Sequence, residues 1–238
     1  MNMKKLQKIL SLLLAAFMMI SCLAACGDKD EESDDKSESS GVPTAFEGKL
    51  LEPYIKIILS GSYTYEATQE GGTPVTYAKD GDDKILLTTE VTVEDEPVTL
   101  TIMYIDGKYY VVLPAQKAYT EATSKEIKKY NLADLFSSMT LDNFANSSFV
   151  ASGTETIDGT EYQYEDYYSA LVQITNRFYF DSDDNLVYVG KVNKNNKVKA
   201  HNSIKIYETN SSTFDILSSY DLVDSSSDTT ETTTSLIG

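Results

Sequence analysis

The sequence predicts an α+β fold over residues 44–223, an antiparallel meander sheet covered by two or three helices. Three observations predict it. Apolar side chains recur at helical spacing in two stretches, one near residues 45–59 and one following Thr123. Elsewhere the apolar period falls to two, in short runs separated by polar turns, which is the pattern of a meander. Several of those runs are apolar on both faces, so the sheet they form has to be covered on both sides.

The first helix is read from Phe46, Leu50, Leu51, Tyr54, Ile55, Ile58 and Leu59, with Pro53 marking an early turn or a kink. From Ser62 the period changes: Tyr63 and Tyr65 alternate with Thr64 and Glu66, and Ile85, Leu87, Thr89, Val91 and Val93 share one face. Glu94-Asp95-Glu96-Pro97 interrupts the run. Val98, Leu100, Ile102 and Tyr104 resume it, and Asp106-Gly107 supplies a tight turn into a strand from Lys108 to Leu113. Thr123-Ser124-Lys125-Glu126 fits a capping box for a second helix, whose Leu132, Leu135, Phe136 and Met139 fall on one face. Strands then return from Phe149 to Ile157, from Thr160 to Glu165 after an Asp158-Gly159 turn, and at 177–180, 186–192 and 197–207.

Two polar stretches flank this region. Gly27 to Ser40 is acidic and serine-rich, and Asp224 to Gly238 has the same character. Such composition cannot bury enough apolar surface to fold, so residues 26–43 are expected to be a disordered tether and 224–238 a disordered tail. Ahead of the tether, Lys4, Lys5 and Lys8 precede an apolar run from Ile9 to Ile20, of signal-peptide length and short for a membrane span. The run ends in Leu23-Ala24-Ala25-Cys26-Gly27, which resembles the bacterial lipobox. The resemblance implies that residues 1–25 are a signal peptide, that Cys26 receives diacylglycerol, and that the mature chain is held outside the cytoplasm at the cell membrane. The alternatives are ordinary cleavage at an A-x-A-like site and an uncleaved anchor helix from near Leu6. On the lipobox reading Cys22 leaves with the leader, so the mature chain has no cysteine to spare for a disulfide or a metal.

Loss of the three leader lysines takes the formal net charge from −17 to −20. This argues against a nucleic-acid partner, because such binding depends on neutralising phosphates with Lys and Arg. About 210 residues remain, enough for one substantial core.

The element order is accompanied by two segments, Tyr104-Ile105-Asp106-Gly107-Lys108-Tyr109-Tyr110 and Gly153 to Tyr162 around Asp158-Gly159, and by Phe178 to Val187. Taken together, these resemble the half-barrel lipoproteins related to the carrier LolA and the mycobacterial LprG and LppX group. The resemblance covers residues 45–223 and implies a strongly curved sheet wrapped on helices, with an apolar cavity between them for an acyl chain or a lipid. The residue pattern itself is equally met by a core packed solid.

Candidate sites follow. Alternation divides the central hairpin into two sets, Ile102, Tyr104, Tyr110 and Val112 against Met103, Ile105, Tyr109 and Val111, one of which would line a cavity. Tyrosine is abundant, seventeen with no tryptophan. Tyr162, Tyr164 and Tyr179, near Tyr167 and Tyr168, either line a pocket or serve as ordinary half-buried strand residues. Lys194, Lys197 and Lys199, with Lys191 and Lys205, either rest on anionic headgroups or protect a strand edge. Asp181-Ser182-Asp183-Asp184-Asn185 alternates oxygen ligands like the start of an EF-hand loop, but Leu186 replaces the glycine and Val192 the bidentate Glu, so a plain turn is expected. His201, the one histidine, has no positioned nucleophile, and no catalytic, phosphate-binding, metal or cofactor signature accompanies it.

The sequence therefore points first to a non-catalytic, membrane-anchored lipoprotein binding a lipid or other apolar ligand. The alternative is an envelope interaction lipoprotein with a solid core, recognising a protein or wall polymer. A third reading is a hydrolase. A cavity of several hundred Å³ would favour the first, and a solid core with an exposed aromatic patch the second. Convergent carboxylates with raised pKa would favour the third.

Overall fold

The computed structural model describes residues 41–223 except Glu70 and Glu94; the leader, Cys26, the tether up to Ser40 and the tail from Asp224 lie outside the described residues. Pro53 stands in the first turn of helix α1 (Glu52–Leu59), where its missing N–H breaks no helical bond. Phe46 belongs to a separate short 3-10 turn (Thr44–Phe46). The approach to α1 is held from across the molecule. The buried carboxylate of Glu165 accepts the N–H groups of Leu50 (2.9 Å) and Leu51 (3.1 Å) and the hydroxyl of Tyr167 (2.9 Å), placing a carboxylate at the otherwise unsatisfied helix N-terminus.

Strands β1 (Ser62–Thr68), β2 (Pro74–Asp80), β3 (Lys84–Val93), β4 (Glu96–Ile105), β5 (Lys108–Leu113) and β6 (Ala118–Glu121) follow as consecutive hairpins. Helices α2 (Ser124–Tyr130) and α3 (Leu132–Met139) lead to β7 (Ser148–Ile157), β8 (Thr160–Ser169), β9 (Ile174–Phe180), β10 (Leu186–Lys191) and β11 (Asn202–Glu208). A 3-10 stretch (Ser211–Ser219) and β12 (Asp221–Leu222) complete the chain. Among the described residues the twelve strands form one sheet, in the order β12-β6-β5-β4-β3-β2-β1-β11-β10-β9-β8-β7. Every pairing is antiparallel except β6–β12. The β1–β11 pairing joins the two meanders, and β7 and β12 remain as separate edges.

Twelve strands about 4.8 Å apart would span roughly 50 Å if flat. Yet one apolar core takes in Leu113 on β5, Tyr65 on β1 and Phe180 on β9, together with Ile55 of α1 and Phe136 of α3. Helices of eight residues, about 12 Å long, reach both ends only because the sheet curls around them. The result is an open half-barrel, the α+β architecture that the sequence resemblance implies. Its outer face is covered over the first meander, where Phe214 and its neighbours Ile216 and Leu217 lie on Ala78, Leu86, Met103 and Val112. The two-faced apolar strands thus find a cover on each side.

Several expectations are corrected. The capping box is present, with the Thr123 hydroxyl accepting from the Glu126 N–H and the Glu126 carboxylate accepting from the Thr123 N–H. The helix it starts breaks at Asn131, whose φ of 48° is left-handed, a conformation asparagine tolerates. Strands β2, β6 and β12 and the stretch Ser211–Ser219 are additions to the sequence reading. Strand β11 starts at Asn202 instead of residue 197, because the Asn193 side chain accepts the N–H groups of Asn195 and Lys197 and closes a turn there.

The grouping of Ile102 and Tyr104 with Tyr110 and Val112 is wrong. With only Asp106 and Gly107 in the turn, Ile102 pairs with Val111 and Tyr104 with Tyr109, so even residues of β4 share a face with odd residues of β5. Ile102, Tyr104, Tyr109 and Val111 face the helices, whereas Met103, Ile105, Tyr110 and Val112 face outward. Edge protection also fails as an account of the lysines, since β10 and β11 lie in the interior of the sheet.

Candidate ligand-binding site

The inner face is unevenly filled. Under α1 lies a gap of about 20 Å³, enclosed by residues such as Ile55, Ile58, Phe178 and Ile204. A second gap of about 40 Å³ lies near Ser147 and Asn176. Between α3 and strands β2–β5, however, an open cleft of about 240 Å³ remains.

Its walls come from the two hairpins and from one helix face. The Asp106-Gly107 turn sets Tyr104 opposite Tyr109, with ring centroids 4.9 Å apart and a 51° tilt. Tyr109 stacks on Phe136 of α3 at 5.8 Å and 17°. Ile85 and Tyr77 continue the wall on the sheet, and Ala133 and Ser137 flank Phe136 one helical turn apart.

The polar end of the cleft is a network around Lys79, Thr140 and Asp142. Lys79 is only 8% exposed and pairs with Asp142 and with Asp82 (3.0 Å). Burial works against its charge, but the two carboxylates outweigh it and raise the Lys79 pKa above its ordinary value. Tyr63 donates to Asp142 (3.0 Å) and accepts the N–H of Leu141 (2.8 Å), while Tyr65 donates to the carbonyl of Met139 (2.9 Å). These bonds tie the end of α3 to β1. Burial first, then the neighbouring Tyr77, pushes the Tyr63 hydroxyl well above the usual tyrosine range, so it stays a neutral donor.

Of the predicted lining residues, Tyr104 reaches the cleft. Ile102 is buried in the core on the same face, and Tyr110 and Val112 lie on the other. Tyr162, Tyr164 and Tyr179 also face outward, because Tyr167, Phe178 and Phe180 occupy the inner positions of their strands. They belong to a separate assembly about Arg177, which is 3% exposed. Arg177 grips Asp166 with two bonds (2.7 and 2.9 Å), donates to Glu155 (2.8 Å) and lies 3.8 Å over the Tyr164 ring. Tyr179 donates to Glu155 (2.8 Å), and Tyr162 meets Tyr188 edge to face. His201 packs against the rings of Tyr179 and Tyr188.

Lys194, Lys197 and Lys199 are exposed on the loop between β10 and β11. Residues 181–185 form the expected turn: the Asp181 carboxylate accepts the N–H groups of Asp183 and Asn185, each at 2.9 Å. The bond from the Asn185 N–H is the main cause that holds its pKa below the usual range.

Sequence reasoning missed Tyr77, Lys79 and Asp142 as site residues. The signal was in β2, where Lys79 shares a face with Val75 and Tyr77. A lysine on an apolar stripe requires a carboxylate partner.

No protein-family model matches the chain, and no curated protein does. Among solved structures, the chain is similar to LprF from Mycobacterium bovis at 12% identity and a TM-score of 0.38, covering 70% of this chain and 94% of that one. It is also similar to an uncharacterized conserved protein from Thermus thermophilus, at 9% identity, a TM-score of 0.33, and 74% and 96% coverage. A DUF1329 family protein from Desulfovibrio piger aligns at 12% identity and a TM-score of 0.29, covering 70% and 91%. Likenesses at this level assign no ligand and no residue role here. The half-barrel rests on the chain's own strand order and register.

Proposed function

We propose that this chain is an extracytoplasmic lipoprotein, anchored through lipid on Cys26, which binds the apolar part of a lipid or other amphipathic molecule and does no covalent chemistry. The cleft between α3 and β2–β5 carries the reading: aromatic walls, an open mouth, and a single buried ion-paired cation at one end. Pockets for drug-sized ligands measure about 300–1,000 Å³, so 240 Å³ suits one end of an amphiphile and not a whole lipid. Among the described residues no helix is long and apolar enough to cross a membrane; what supports attachment through Cys26 is the lipobox-like Leu23-Ala24-Ala25-Cys26-Gly27.

Native mass spectrometry of the protein extracted from its own membrane tests the ligand, with a retained amphiphile as the expected result and a bare chain counting against it. Cys26→Ala is expected to move the protein from the membrane fraction to the soluble one; mutant protein that still pelleted at high salt would exclude lipid as the main tether. Replacing Lys194, Lys197 and Lys199 by Gln is expected to weaken adsorption of the Cys26→Ala chain to anionic vesicles, if that loop rests on headgroups. A second reading, recognition of an envelope partner by the outer face, is favoured by the half-exposed rings of Tyr162, Tyr164 and Tyr188. Loss of partner capture on Tyr162→Ala, with the cleft intact, would select it.

A further inference from the structure

The cleft opens at the end of the sheet where two turns meet, the Asp106 N–H donating to the Asp83 carbonyl (3.1 Å). That end is rich in carboxylates. Asp80 ends β2, Asp82 and Asp83 lie on the β2–β3 turn, Asp106 on the β4–β5 turn, Glu121 at the end of β6, and Asp142 in the cleft itself. Three lysines answer them, and each is already engaged: Lys79 with Asp82 and Asp142, Lys84 with Asp80, and Lys108 with Glu121. The Lys84–Asp80 and Lys108–Glu121 pairs cancel on the outward face, so Asp82, Asp83, Asp106 and Asp142 against Lys79 leave a surplus of three negative charges at this end of the sheet.

The walls suit the same sign. Tyr104 and Tyr109 meet at 51° and form a V of two π-faces, with Tyr77 and Phe136 beside them. An aromatic face attracts a cation lying within about 6 Å of its centre, more strongly when water is partly excluded. Organic anions find a poor site here, since Lys79 is spent on its two carboxylates.

We infer that the cleft selects a positively charged amphiphile, one whose quaternary or substituted ammonium end sits between Tyr104, Tyr109 and Asp142 and whose chain runs along Ile85 and Phe136. This rests on reading the cleft as the ligand site.

The test uses the full mature chain carrying Cys26→Ala and three probes with the same chain length: dodecyltrimethylammonium, dodecyl maltoside and dodecyl sulfate. Each is titrated calorimetrically below its micelle-forming concentration, at about 0.15 M salt so that the overall charge of the protein is screened. The ammonium probe is expected to bind about tenfold more tightly than the neutral one, and the sulfate more weakly than either. Tyr104→Leu and Tyr109→Leu are expected to weaken the ammonium probe about tenfold more than the neutral one, which abolishes that preference, and Tyr104→Phe, which keeps the ring, is expected to retain it. Equal binding of the ammonium and maltoside probes would overturn the inference and leave the cleft as an unselective apolar site. Saturable binding of none of them would overturn the cleft reading itself. A preference surviving both leucine variants would place the cation elsewhere on the acidic surface and also overturn the inference.

Discussion

The two meanders are built from the same kind of strand and the same excess of tyrosine, yet among the described residues a cleft of about 240 Å³ lies beneath the helix of the first and a gap of about 20 Å³ beneath that of the second. In the second, rings on the covering segments insert among rings on the sheet: Phe46 stacks on Tyr167 at 4.7 Å, and Phe144 meets Phe178 at 4.8 Å. In the first, Phe136 stacks on Tyr109, and Ala133 and Ser137 beside it are too small to fill the rest. The sheet residues do not decide between a packed core and a cleft. The sizes of a few side chains on the cover do, because gaps close only where atoms exist to fill them.

The comparison is broken most directly in the filled half. Phe46 is fully buried, and Phe46→Ala is expected to cost about 3–5 kcal/mol in denaturant unfolding. A loss under about 1 kcal/mol would mean that the stacked rings are as loosely held as the cleft wall.

Arg177 tests whether that half also depends on its outer face. Arg177→Met strands the buried Asp166 carboxylate, and removing one partner of such a pair costs about 3–5 kcal/mol. The double variant Arg177→Met, Asp166→Leu is expected to recover much of the loss, since the penalty lies in the uncompensated charge. No recovery would show that the Glu155 and Tyr164 contacts of Arg177 carry its contribution instead.

How far this division is legible in the sequence can be followed residue by residue. The long strands and the face of α3 were readable because alternation and helical spacing persist through them, and Leu132, Leu135, Phe136 and Met139 are indeed buried. Strand β2 was hidden by Gly71-Gly72 ahead of it, by Pro74 at its start and by Ala78-Lys79 within it, which blur the alternation. Strand β12 has only two residues and pairs with a distant partner, so it leaves no local pattern. The face assignment around the cleft was recoverable: a two-residue turn couples even positions on one strand to odd positions on the next, which unites Tyr104 with Tyr109. The Lys79–Asp142 pair, 63 residues apart in sequence, was not.

The two halves should also part company with pH, by a smaller amount. Burial alone would raise the Glu155 carboxyl, but its bonds to Arg177 and Tyr179 lower it below the ordinary value of 4.5. A depressed carboxylate stabilises above that value and loses its contribution as pH falls through the folded value, so this contact makes the second meander sensitive to acid. Lys79 has the opposite sign. Its folded pKa is raised above 10.5, so its contribution is present at neutral pH and is lost as alkali rises through the folded value. Glu155→Gln is expected to flatten the acid limb of a stability–pH profile by less than about 1 kcal/mol, given how exposed the carboxylate is. An unchanged acid limb would assign that sensitivity to other carboxylates.

The smallest expected effect on stability sharpens the comparison most. Ala133 is exposed at the rim of the cleft on α3, and leucine is almost as good a helix former as alanine. Ala133→Leu therefore adds atoms where the structure has space, and its stability should stay within about 0.5 kcal/mol of the parent. A matching enlargement in the filled half, Ile204→Phe beside a gap of only about 20 Å³, should cost about 1–3 kcal/mol by overpacking. The functional readout runs the other way. Ala133→Leu should narrow the cleft and weaken binding of an amphiphile, whereas Ile204→Phe, buried under α1, should leave affinity unchanged in whatever fraction remains folded. If Ala133→Leu proved as destabilising as Ile204→Phe, the space beside Phe136 would already be closed in solution, and the contrast between a filled and an open half would fall.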